Sequence, residues 1–129
     1  MVRETSLATV WLMILRMMEA QGMDVTQVMR EVGVAESVLR QPKARLPSRL
    51  SDVFFRRAMA AIPDPAFGLC SAEYWHPSNL GTLGYAWLSS ATLRKGLLRM
   101  ERYARILGNR FSYTCVDQPE GLRFVYDHG

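Results

Sequence analysis

The chain has 129 residues, 49% of them apolar and 22% charged, with a formal net charge of +4. That length suits one ordinary domain with one core, and the composition excludes disorder across the whole chain. The apolar run from Val10 to Leu15 is interrupted by Arg16 and Glu19, well short of the roughly 20 residues a membrane span needs.

Arg3 is balanced by Glu4 and no small-residue cleavage site follows the run, so no leader is indicated and the expected location is the cytoplasm. Leu7, Val10, Trp11, Ile14 and Met18 recur at helical spacing behind Thr5 and Ser6 as caps, which predicts a core helix over 6–21. Shorter helices are expected over 26–32, ending at Gly33, and over 36–40, ending before Pro42.

Pro47 fits the first turn of a further helix whose face carries Leu50, Val53, Phe54, Ala58 and Ala61, closing before Pro63. Asp64 followed by Pro65 signals the start of another, running to about Tyr74. Past an element over 81–90, the stripe Leu93, Leu97, Met100, Ala104 and Leu107 predicts an amphipathic helix, with Arg94, Lys95, Arg102 and Arg105 on another side.

From Phe111 the period changes to two. Phe111, Tyr113 and Cys115, then Leu122, Phe124 and Tyr126, alternate with mostly polar neighbours across a turn-rich 117–121, which reads as a β-hairpin. Two strands alone are marginal, so the hairpin begins an antiparallel sheet. The fold class is α+β, mostly helical, with helices covering one face of that sheet. Residues 1–129 form a single domain.

Cys70 and Cys115 have no companion at metal spacing, so both are expected as buried free thiols and no metal or cofactor is called for. Two basic stretches, from Arg40 to Arg57 and from Arg94 to Arg110, point either to acidic partners or to solvated faces. Residues 27–40 imitate a DNA-binding helix-turn-helix around Gly33. Against it, Met29 occupies a place that wants a small residue, and Glu31 and Glu36 would face the phosphates.

Three passages together carry a family resemblance: Arg45-Leu46-Pro47, Asp64-Pro65-Ala66-Phe67-Gly68-Leu69, and His76 to Tyr85 followed by Leu88 to Leu93. The chain resembles the N-terminal effector-sensing domain of AraC-type transcriptional regulators, the arabinose-binding-like version. The resemblance implies a small-molecule effector of unnamed identity, a homodimer, and contact with DNA only through a separate C-terminal helix-turn-helix domain. It also implies that this chain is the first part of the sensing domain. Where the family tends to place Glu three residues after the helix-opening Thr, this chain has Lys95 after Thr92.

Candidate ligand-binding residues are Tyr74, Trp75, His76, Asn79, Tyr85 and Trp87, an aromatic and polar rim around a Pro turn. Each has a plainer role open to it. His76 can brace its own turn, Asn79 can cap the following helix, and the rings can simply fill the core. Gly81 and Gly84 lack the Lys and preceding strand of a phosphate loop and read as close-packing positions. No catalytic residues are assigned, because neither His76 nor His128 has an evident Ser or Cys partner. Small DNA-binding protein and ligand-independent dimerisation module remain as alternatives.

Overall fold

The computed structural model describes residues 3–129. Where helical spacing predicted the first turns of a helix, the chain forms a short strand, β1 (Thr5–Leu7). It pairs antiparallel with β2 (Arg45–Pro47), and Ser6 also bridges to Gly108. The Leu7 amide donates to the Leu107 carbonyl at 2.7 Å. These partners are remote in sequence, so local periodicity does not register them. Ser6 is not a helix cap; its hydroxyl accepts from the Trp11 indole N–H at 3.0 Å.

Helix α1 (Val10–Ala20) buries Trp11, Leu15, Met17 and Met18. Helix α2 (Val25–Val32) opens on Asp24, whose carboxylate accepts from the amides of Thr26 and Gln27, and closes on Gly33 at φ 69°. Beyond it, Glu36–Arg40 is a five-residue 3₁₀ turn that inserts Leu39 into the core. The second helix of a helix-turn-helix is therefore missing: one turn anchored by a buried Leu presents no recognition face.

Pro47 ends β2 rather than opening a helix, since it stands opposite Thr5 and its neighbour Leu46 opposite Ser6. Helix α3 (Arg49–Ala61) then buries Phe54 and Ala58. Phe54 meets Trp11 edge to face, with centroids 5.0 Å apart. Arg57 reaches Glu31 at 2.6 Å and ties α3 to α2.

The helix expected from Pro65 to Tyr74 is broken up. Asp64 does cap, accepting from the Ala66 amide at 2.8 Å, but a 3₁₀ turn (Phe67–Cys70) follows before the single turn of α4 (Ser71–Tyr74). The stretch contains Gly68 and buries Phe67 while leaving Leu69 83% exposed, so no apolar stripe rewards a continuous helix.

A further 3₁₀ turn (Pro77–Leu80) leads into α5 (Thr82–Leu88), and α6 (Leu93–Tyr103) packs on it. A Cβ on Gly84 would stand 1.9 Å from the Pro77 carbonyl oxygen, and one on Gly96 would stand 3.0 Å from the Trp87 ring. Both glycines are thus close-approach positions. Arg99 closes the end of α5 by donating to the Ala86 carbonyl at 2.6 Å and the Ser90 hydroxyl at 2.9 Å. Thr92 caps α6, accepting from the Lys95 amide at 3.2 Å.

The α6 stripe holds at its C-terminal half, where the following 3₁₀ turn (Ala104–Ile106) brings Ala104 and Leu107 into the interior. Leu93, however, is 69% exposed, because the first turn of α6 lies beside the hairpin loop rather than over the core. There Arg94 pairs with Asp117.

Strands β3 (Ser112–Gln118) and β4 (Gly121–Asp127) form the antiparallel hairpin, with Tyr113 opposite Tyr126 and Cys115 opposite Phe124. Tyr113 also stacks diagonally on Phe124, at 4.9 Å. The result is α+β, helices covering a C-terminal antiparallel hairpin, with the β1–β2 ribbon as an unanticipated addition. Cys70 and Cys115 are free, as expected, but half-buried rather than buried.

Two apolar clusters form the interior. The larger joins α1, α2 and α3 around Trp11, Met18, Leu39 and Phe54; the smaller holds Leu7, Leu83 and Leu107, and Val10 packs against both.

Candidate functional site

The turn after α4 is built by its own side chains. His76 is extended, as the residue before Pro77 must be, and its backbone N–H donates to the Asn79 side-chain oxygen at 2.6 Å. The Ser78 amide donates to His76 Nδ1 at 3.2 Å, with the Ser78 hydroxyl 2.7 Å from the same nitrogen. With Nδ1 accepting, a neutral ring carries its proton on Nε2 and offers a donor there.

Asn79 is 3% exposed and fastens this turn to the start of α1. Its Nδ2 donates to the Thr9 carbonyl at 3.2 Å, and the Thr9 hydroxyl donates to the Asn79 carbonyl at 2.9 Å. Next comes Gly81 at φ 60°, ψ −146°, a conformation essentially confined to glycine. It lets the chain reverse directly over Leu7, whose Cδ2 would stand 3.2 Å from any Cβ.

Turn, α1, the loop after Leu39 and the start of α5 enclose a cleft of about 840 Å³. Leu7, Leu12 and Ile106 give it an apolar floor; Arg16, Arg40 and Lys43 are its cations. His76, Ser78, Thr82 and Tyr85 supply polar groups, and among the described residues no acidic one lines it. Its size falls within the ordinary range for small-molecule sites.

The six residues singled out in the sequence are distributed over three places. His76, Asn79 and Tyr85 line the cleft, although both amide atoms of Asn79 are committed to backbone. Trp75 and Trp87 line a separate apolar crevice of about 250 Å³ with Leu97, Met100, Tyr113 and Phe124. Tyr74 packs against the larger core cluster. Arg16, Lys43 and Leu12 were not singled out as site residues. The one signal for Arg16 is that it interrupts the apolar run of a core helix.

Two groups of the hairpin have shifted protonation. Burial raises the Tyr113 phenol, helped by Tyr126, and burial followed by the Glu101 carboxylate raises the Cys115 thiol. Neither is an activated nucleophile. Among the described residues, no group of His, Cys, Asp and Glu is arranged to hold a metal ion. No described helix is long and apolar enough to cross a membrane.

Residues 22–129 match the family described as the arabinose-binding domain of AraC transcription regulators, at their N-terminus. The chain belongs to this family. An ornithine utilization regulator of Pseudomonas aeruginosa is 35% identical to it over 83 residues. That match takes in 64% of this chain and 24% of the relative, so the chain spans about a quarter of the regulator it resembles. The family is one of regulatory sensing domains rather than a class of enzymes. Its description names a sugar, whereas the relative's name concerns an amino acid.

Proposed function

We propose that this chain senses a small-molecule effector in the 840 Å³ cleft and passes that signal, within a cytoplasmic dimeric regulator, to a separate DNA-binding domain. The carrying observation is the cleft itself: a family built for effector sensing, and a concave site with an apolar floor and convergent polar groups. The ligand would favour one arrangement of the cleft walls over another. The coupling to DNA binding can be no larger than that preference.

A thermal-shift screen across sugars, amino acids and organic acids tests this. A cognate ligand at a hundred times its Kd stabilises the fold by about 2.7 kcal/mol. Tyr85→Ala, at an exposed position on the cleft wall, should abolish the response while leaving the unliganded melting temperature nearly unchanged. Self-association that persists with no ligand response would instead identify a dimerisation module. The relative's name makes an amino acid with a cationic side chain one member of the panel.

A further inference from the structure

Resting on the reading of the cleft as the effector site, we propose that its ligand is an amphipathic anion: an apolar chain or ring ending in carboxylate or phosphate oxygens. Among the described residues, three cations and no acid line the cleft. Arg40 is partly offset by Glu36 at 3.1 Å, but among the described residues Arg16 and Lys43 have no ion-pair partner. Elsewhere some cations are engaged: Arg57 with Glu31, Arg94 with Asp117, Arg110 with Asp52. Arg45, too, is committed, donating to the carbonyls of Thr5, Arg105 and Ile106. Others, such as Arg30, Arg49 and Lys95, stand outside the cleft without an ion-pair partner among the described residues, so it is the convergence of three on one concavity that marks the cleft. The cleft thus gathers positive charge that the fold leaves uncompensated.

Like charges around one concavity repel each other, and an anion placed between them relieves that repulsion. The head group must also accept hydrogen bonds, because Arg and Lys are donors only. In the same cleft Leu7, Leu12 and Ile106 offer apolar surface that a bare inorganic anion would leave unused. A ligand carrying a side-chain ammonium would meet the same cations as repulsion, and a neutral sugar would leave the charge unanswered. The combination selects an acid head with an apolar body.

Calorimetric titration of the 129-residue chain with octanoate, octyl phosphate, 1-octanol, octylamine, L-ornithine and L-arabinose tests the class. One of the two anions should bind at least tenfold more tightly than 1-octanol, a difference of about 1.4 kcal/mol. Whichever anion wins identifies the head group, and octylamine should not displace it. Arg16→Gln combined with Lys43→Gln should weaken that anion at least tenfold with the melting temperature preserved. Lys95→Gln, a cation outside the cleft, should leave it unchanged.

Equal affinity for 1-octanol and the anions, or anion binding indifferent to Arg16→Gln and Lys43→Gln, would overturn the proposal. A saturable response to L-arabinose or L-ornithine with none to either anion would remove it while leaving the sensing role intact. Silence from every probe would overturn the proposal, and the wider thermal-shift screen then decides the sensing role by itself.

Discussion

Asn79 and Thr9 show how one buried polar pair holds a site in place. Each donates to the other's backbone carbonyl, and the Asn79 oxygen accepts from the His76 amide, so three backbone groups depend on two side chains. Asn79→Ala removes the partner of the buried Thr9 carbonyl, at about 1–3 kcal/mol for a buried group left unsatisfied, and hands the N–H of the exposed His76 to water at a smaller cost. Urea unfolding should therefore show a loss of a few kcal/mol. Thr9→Val should cost less, and the two together less than their sum, because they break the same join. An unchanged midpoint for Asn79→Ala would mean that the turn is held by something else. In the sequence Asn79 suggested a cap for the helix that follows; its real partners are His76 behind it and Thr9, 70 residues away. Short-range reasoning identified a capping residue but not the direction in which it caps. Gly84 was better served by such reasoning, since the close packing it implied is seen against Pro77.

At the level of elements, what the sequence made legible was whatever repeats locally. Helices α1 and α3 follow their apolar periods, α6 does so over its C-terminal half, α2 stops at its Gly33 signal, and the hairpin follows its alternation. The β1–β2 ribbon was not legible, because three residues are too few for a period and the pairing is non-local. The helix-turn-helix imitation failed for a related reason: Leu39 is drawn into the core and the segment tightens to a 3₁₀ turn. The hairpin carries its own test. Tyr113 is half-buried between Phe111, Phe124 and Tyr126, and burial raises its phenol above the ordinary value near 10. A raised folded-state value means that the native state favours the neutral phenol. The resulting stability is complete below about pH 10 and is lost as the pH rises through the folded value. Denaturation midpoints followed from pH 8 to pH 11 should decline at the alkaline end, and the Tyr113→Phe variant should lose much of that decline. An identical alkaline decline in Tyr113→Phe would assign the effect to other groups.

Across the whole molecule, the cleft arises where the two apolar clusters meet, which explains why half of it escaped the sequence. His76, Asn79 and Tyr85 sit in one recognisable passage, whereas Arg16 comes from α1 and Lys43 from the loop before β2; only folding assembles them. Leu7 is the residue these features share. It is 5% exposed, anchors the smaller cluster, lies under Gly81 and forms part of the cleft floor, while its neighbour Ala8 already belongs to the larger cluster. Leu7→Ala should cost about 2–5 kcal/mol, as large-to-small core changes do. The loss should be uneven. Helices α1 to α3 retain their own core around Trp11 and Phe54, but Leu83 and Leu107 lose their common partner. Native-state hydrogen exchange should then quicken most in α5 and around Leu107, and least in α1 and α3. The same variant should weaken any ligand of the cleft, since the floor and the Gly81 reversal would both relax. Uniform quickening across the chain would show that the two clusters open as one unit, and the cleft could then not change shape without unfolding the domain that contains it.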